Sequence, residues 1–474
     1  MSSDRPILTH IGKHKRILFV LPPCDLFPKP VNPSHHPIMT ATLAGVAIDL
    51  GFTVGALDAT LNGLNPKQTA QHIAQWRPDW VWFIPYEYRR ELPLLTTQAT
   101  LRFLEPLFKT CVGLANCPRQ EKDLKTLFEN GDVDAVIYDD SETTLAKILC
   151  DQPQDADGMC FRTSSGEIIQ SERHPTIDWA SLPVPAWKIF EHQRYYPSAH
   201  RYKNKPILPI MASRSCPYGC DFCPQSLFNP SQKHATRPVE ALIQEVETLI
   251  EDYGVVELEF YDPTFGIKRD ETVALCRKLA HLPVTWSCYT RCDLMDDALL
   301  REMAAAGCHT ILFGVESGNE QILERTQKEL SHADVLRTVK ICRNLGIQTI
   351  ASFILGLPGE TAETLRESIA FSLRLNPTYA QYHLLRSFFE HDSWAEVGHI
   401  ERNWNVSSAS VNGYAYIPKD LTTRALQLGM LRAYGAFYLR PSKVKELLSD
   451  LKTPADWKRI GLGIKQVSQH LKQL

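Results

Sequence analysis

Three cysteines stand close together in SCPYGCDFCPQ: Cys216, Cys220 and Cys223, spaced C-x3-C-x2-C. At that spacing one short loop wraps three corners of a cuboidal [4Fe–4S] cluster, and the thiolates supply the negative charge that iron prefers. Three ligands leave the fourth iron open. An open iron chelates the amino and carboxylate groups of a methionine-type ligand and so delivers an electron to its sulfonium. Two plainer readings fit the same residues: a zinc site, which ordinarily has a fourth Cys or His close by, and a chance grouping of buried thiols. The cysteine total of thirteen is odd, which suits ligands plus buried thiols better than a disulfide framework.

A loop of this kind needs a rigid support. PILPIMAS, just before the cysteines, reads as a strand, and VELEFYD, VTWSCYT, HTILFGVE, TIASFILG and YAQYHLL follow it, separated by helical segments such as VEALIQEVETLIEDYG. Six such units predict a partial (β/α)6 barrel over residues 206–390. Upstream, over residues 1–150, RILFVLPP, FTVGALDA, WVWFIPY, KTCVGLAN and VDAVIYDD alternate with helical MTATLAGVAIDLG and NPKQTAQHIAQW. Strands too apolar to expose either face imply an α/β, doubly wound parallel sheet, which binds ligands beyond the carboxyl ends of its strands. Residues 151–205, with TIDWASLPVPAW, read as an irregular linker, and residues 391–474 as a helical C-terminal region.

Beyond the cysteines, the order of motifs resembles the radical S-adenosylmethionine (SAM) superfamily over roughly Pro206 to Phe389. Phe222 is similar to the aromatic residue that members place against the adenine. FYDPTF, with Asp262, resembles the second-strand motif whose main-chain carbonyls receive the SAM amino group; Pro263 stands where many relatives have another acid, but it retains its carbonyl. Arg291 in WSCYTRCD resembles the residue that pairs with the SAM carboxylate, a task suited to a guanidinium fork. Glu316 in FGVESG resembles the ribose ligand. Gly356, Pro358 and Gly359 in FILGLPGET resemble the turn that brings backbone to the adenine. The sixth strand lacks the Pro-Gly-Thr turn common in close relatives.

A parallel α/β domain before such a barrel resembles the cobalamin-binding subgroup, which includes methyltransferases, the anaerobic magnesium-protoporphyrin ester cyclase and hopanoid-tailoring enzymes. Asp58, ending the second strand, and Gly113 in CVGLANC are the positions that this likeness assigns to cobalamin. Relatives show Gly-Glu-Gly-Glu where Tyr138 to Glu142 stand, and Asp58 to Gly63 has threonine at the axial-histidine place of D-x-H-x-x-G. His35 and His36 follow the first strand; surface placement is the commoner fate of such histidines. The ten other cysteines, Cys288 and Cys292 among them, read as small buried apolar residues.

The resemblance implies an enzyme that cleaves SAM with a [4Fe–4S] cluster to give a 5′-deoxyadenosyl radical and, with cobalamin, methylates an unactivated position. It implies reduced flavodoxin or ferredoxin as electron donor and a small-molecule or lipid-like substrate. The alternatives are a radical cyclase, rearrangement or oxidation enzyme with a degenerate cobalamin domain, and a non-catalytic iron–sulfur or zinc protein. Composition agrees with a folded, soluble-type chain: 474 residues, 44% apolar, 22% charged, net charge −3. No basic excess steers the whole chain toward nucleic acid. The polar start MSSDRPILTHIGKHKR lacks an export signal's apolar core, so a cytoplasmic location is expected, and no apolar run approaches the ~20 residues that span a bilayer.

Overall fold

The run RILFVL places apolar side chains on both faces of a strand, and only a central position in a covered sheet buries both. It forms β1 (Arg16–Leu21), flanked by β2 (Thr53–Asp58) and β3 (Trp80–Phe83). The computed structural model describes residues 15–23, 36–84, 97, 99–104, 109–113, 133–137, 141–150, 158–162, 167–171, 179, 182–195, 201–223, 234–385, 392–404, 413–449, 457 and 461. The chain divides into two units, Met1–Tyr196 and Pro197–Leu474.

In the first unit β4 (Lys109–Gly113) and β5 (Ala135–Ile137) extend the parallel sheet, giving the order β2-β1-β3-β4-β5. Two further strands, β6 (Met159–Arg162) and β7 (Ile168–Gln170), add to its edge in antiparallel sense. Helix Pro66–Trp76 starts on a reciprocal cap: Gln68 N–H donates to Asn65 Oδ1 at 2.9 Å, and Asn65 N–H to Gln68 Oε1 at 3.0 Å. Its last residue packs against β2 where a Cβ on Gly55 would come 2.7 Å from the Trp76 ring. Leu18, Val20, Ile73, Val81, Phe83 and Val136 form the core between sheet and helix.

The second unit is built on six parallel strands: β8 (Ile207–Ile210), β11 (Glu257–Phe260), β12 (Thr285–Thr290), β13 (Cys308–Glu316), β14 (Gln348–Leu355) and β15 (Tyr379–Leu384). They pair in the order β15-β14-β13-β12-β11-β8, the partial barrel expected from the sequence. A two-stranded pair, β9 (Ser213–Arg214) and β10 (Ala235–Thr236), follows β8. The connecting helices are Val239–Tyr253, Arg269–Leu279, Asp297–Ala305, Glu320–Arg325, His332–Asn344 and Ala362–Leu375. In the first of these Leu242, Val246 and Leu249 are buried at helical spacing, and Gly254 ends the helix at φ 63°, a conformation glycine adopts without Cβ strain. Beyond the barrel lie an antiparallel hairpin, β16 (Gly398–Trp404) with β17 (Gly413–Pro418), and helices Thr423–Tyr438 and Pro441–Ser449. Among the described residues no helix is long and apolar enough to cross a membrane.

Candidate functional site at the carboxyl ends of the barrel strands

The cysteine loop is held by side chains rather than by regular structure. Asp262, just past β11, reaches to the segment that follows β8: Ser213 Oγ donates to Asp262 Oδ1 at 2.5 Å and Ala212 N–H to Oδ2 at 3.1 Å. The carboxylate is 2% exposed, and burial pushes its pKa up to about 6, with the Ser213 and Ala212 hydrogen bonds opposing the rise. Ser215 then takes φ 67°, turning the chain into the loop. Cys216 Sγ lies 3.3 Å from Thr264 Oγ1, on the same post-β11 segment as Asp262. Further along, Cys223 N–H donates to the Cys220 carbonyl at 3.1 Å and Asp221 N–H to the Thr326 carbonyl at 3.3 Å. Trp394 Nε1 donates to Asp221 Oδ2 at 3.1 Å. Phe222 and Cys220 are buried in one apolar cluster with Ile322, Leu357, Leu385 and Tyr416.

Arg291, immediately after β12, carries positive charge to this loop. Its Nε donates to Asp293 Oδ1 at 3.0 Å, its Nη2 donates to the Lys328 and Glu329 carbonyls at 2.9 Å each, and its Nη1 faces Cys220 Sγ at 4.0 Å. The guanidinium also lies 3.8 Å from the centre of the Tyr218 ring. Burial pushes the Cys220 thiol up, while Lys328 and Arg291 pull the other way by favouring the thiolate.

Glu316 ends β13 at φ 67° beside an irregularity in the β13–β14 register. Lys328 Nζ donates to its Oε1 at 3.2 Å. Burial alone would lower the Lys328 ammonium, but the Glu316 carboxylate and the nearby Cys220 outweigh it and raise its pKa. After β14, Gly356 and Gly359 adopt φ 89° and 81° on either side of Pro358. A Cβ on Gly359 would sit 3.0 Å from Arg325 Nη1, so this turn requires glycine for space as well as conformation. Glu360 is fully buried and accepts the Gly356 N–H, while its Oε1 has no partner. Burial lifts its pKa to about 8, against the Gly356 and Leu357 hydrogen bonds.

Strand ends in one sheet thus gather Cys216, Cys220, Cys223, Phe222, Asp262, Arg291, Glu316 and the Gly356–Gly359 turn. Lys328, Asp293, Thr264 and Glu360, which support them, were not singled out by sequence. Glu360 at least stands inside a motif that was read, whereas nothing in the segment around Lys328 signals its partner.

The donor set fits a cluster. One loop carries three thiols, Cys216, Cys220 and Cys223, none of them in a disulfide. Two cations beside Cys220 complement thiolate charge.

In the first unit Asp58 is 5% exposed. It accepts the Tyr195 hydroxyl on Oδ2 at 2.7 Å and the Leu61 N–H on Oδ1 at 2.7 Å. Burial and the Asp58 carboxylate hold the Tyr195 phenol well above its ordinary pKa. Asp58 therefore shapes the turn after β2. Gly113 closes β4, opposite Ile137. His36 is buried, its ring 5.5 Å from that of Tyr195 and 5.9 Å from that of Trp187, a core placement rather than a surface one. His35 and Tyr138 lie outside the described residues.

Residues 210–372 match the family model of the radical SAM superfamily. The chain is 25% identical over 450 residues to an uncharacterized methyltransferase of Pyrococcus horikoshii, covering 93% of this chain and 95% of that one. It is 25% identical over 399 residues to an anaerobic magnesium-protoporphyrin IX monomethyl ester cyclase of Rubrivivax gelatinosus, covering 81% and 70%. Among solved structures, OxsB with aqua-cobalamin and S-adenosylmethionine bound superposes with a TM-score of 0.69 at 16% identity, over 96% of this chain and 71% of that one. TsrM from Kitasatospora setae with cobalamin and a [4Fe–4S] cluster bound gives 0.64 at 18% identity, over 89% and 85%. The fold of both units is therefore one shared with known enzymes.

Proposed function

We propose, from the match of residues 210–372 to the radical SAM family model, that the chain is a cobalamin-dependent radical SAM methyltransferase. What carries the reading is the single loop of Cys216, Cys220 and Cys223, met by the Arg291 guanidinium 4.0 Å from Cys220 and by the Glu316–Lys328 pair. The methyltransferase relative, matched over nearly the whole of both chains, supports methylation rather than cyclisation.

When bound, the [4Fe–4S] cluster and SAM supply one-electron reductive cleavage, and cobalamin supplies methyl transfer to carbon or phosphorus. This chain's residues hold and orient. Cys216, Cys220 and Cys223 would hold the cluster, with reduced flavodoxin or ferredoxin as the electron source. Main-chain carbonyls around Asp262 would receive the SAM amino group, while the Asp262 side chain keeps that segment tied to the cysteine loop. Arg291 would pair with the SAM carboxylate. Glu316, its position set by Lys328, would accept from the ribose hydroxyls. Phe222 and the Gly356-Leu357-Pro358-Gly359 turn would enclose the adenine, where glycine admits close backbone approach. Asp58, through the turn it holds, and Gly113 would shape the cobalamin face of the first unit.

The test is an anaerobic assay of the reconstituted protein with methyl-labelled SAM, cobalamin and reductant. Label passing from SAM to bound cobalamin, together with 5′-deoxyadenosine, supports the reading. Formation of 5′-deoxyadenosine with no corrin retained and no methyl consumed would replace methylation by cyclisation or oxidation.

A further inference from the structure

Helix Thr423–Tyr438 seals the free edge of the barrel sheet. Tyr438 Oη accepts the Ala380 N–H at 3.1 Å and donates to the Ala380 carbonyl at 2.9 Å, and Tyr434 Oη does the same at Tyr382, at 3.3 Å in each direction. Leu426, Met430, Ala433 and Phe437 are buried on the same side. A helix docked this way ordinarily turns a polar face to water. This one does not. Arg424, Leu428, Leu431 and Arg432 recur at helical spacing on the outward face, and Leu439, capping the helix, follows two turns on. Leu428 is 41% exposed, Leu431 39% and Leu439 78%. The next helix continues the pattern, with Val444 41% and Leu448 55% exposed beside an exposed Lys445. Trp457 is 60% exposed.

Charge is segregated in the same region. Among the described residues, 423–449 hold five Lys and Arg against one Glu, in a chain whose total is −3. Leucines that gain from leaving water, interleaved with fixed cations, match a surface that is apolar below and anionic above. A nucleic acid would satisfy the cations and leave the leucines in water.

We propose that this C-terminal face rests on an anionic lipid surface, with the leucines in the acyl boundary and the Arg and Lys side chains at the headgroups. The chain is thereby a peripheral membrane protein whose barrel works beside the bilayer. The surface acts whatever the barrel's chemistry, so its failure leaves the cluster reading untouched.

The full chain is tested by flotation with vesicles of phosphatidylcholine alone and of phosphatidylcholine containing phosphatidylglycerol. It floats with the anionic vesicles, is released by salt, and stays down with the neutral ones. The triple variant L428S/L431S/L439S lowers the partition coefficient about tenfold, and R424Q/R432Q lowers it by a similar factor on anionic vesicles only. Both variants keep the parent's circular dichroism, because the changed side chains are solvent-facing. Absence of flotation by the parent, undiminished flotation of the triple serine variant, or binding of a single-stranded oligonucleotide in place of vesicles overturns the proposal.

Discussion

Lys328 donates to Glu316 Oε1 at 3.2 Å, and the two side chains are only 8% and 10% exposed. Glu316 takes its φ of 67° at the end of β13, where the carboxylate folds back over Gly314: a Cβ there would come 2.3 Å from Glu316 Oε1 and 3.0 Å from Lys328 Nζ. A left-handed backbone, a glycine and a buried cation together fix one carboxylate at the strand end.

Removing one member of this pair leaves the other charge buried. Lys328→Met is expected to destabilise the protein by about 3 kcal/mol in denaturant unfolding. Adding Glu316→Gln in the same chain recovers part of that loss, since the uncompensated charge is then gone. A single variant no less stable than the parent means that Lys328 does not hold Glu316.

Gly314→Ala meets the same carboxylate from below. It should weaken SAM binding about tenfold by displacing Glu316 while leaving cluster content unchanged, as measured by equilibrium dialysis and iron analysis. Loss of iron in this variant places the damage elsewhere.

Arg291 contacts a carboxylate and two carbonyls at once, a geometry that lysine cannot reproduce. Arg291→Ala is expected to lower SAM affinity about 10- to 100-fold, and Arg291→Lys to recover only a fraction. Equal affinity for lysine and arginine forms would reduce Arg291 to a point charge.

Glu360 gives a pH dependence with a definite sign. Its folded pKa, about 8, lies above its ordinary value of 4.5. Below the ordinary value both folded and unfolded states are protonated and nothing is lost. As pH rises from there toward the folded value the unfolded state ionises first, so folded-state stability falls by roughly 3–5 kcal/mol and then levels off. Glu360→Gln removes that slope. Unfolding free energies of parent and variant, compared at pH 5 and pH 8, should diverge in the variant's favour at the higher pH; a constant difference contradicts the burial of an uncharged Glu360.

The chemistry-bearing residues were more legible than their supports. The cysteine loop, the Arg291 and Glu316 strand ends and the glycine turn each lie at the end of an apolar run, and a run of that kind predicts a strand locally. The strand Ile168–Gln170 escaped because it is three exposed residues that only pairing with β6 makes a strand, and the β16–β17 hairpin corrects the reading of residues 391–474 as helical. Sequence pointed to the main chain at Asp262, while its side chain turned out to brace Ala212 and Ser213, fifty positions upstream on the chain and adjacent only in the fold. Lys328 was invisible for the same reason, since its partner Glu316 lies twelve residues away and is chosen by packing; Asp293 stands only two residues from the Arg291 it pairs with, and no motif marked it.

Every role proposed for the barrel's strand ends depends on the cluster. Iron and acid-labile sulfide per chain, measured on anaerobically reconstituted parent and on the C216A/C220A/C223A variant with Mössbauer spectra of each, test it most directly. The prediction is about four irons and four sulfides in a cubane-type centre for the parent and none in the variant. Zinc in the parent, or a four-iron centre that survives loss of all three thiols, contradicts it.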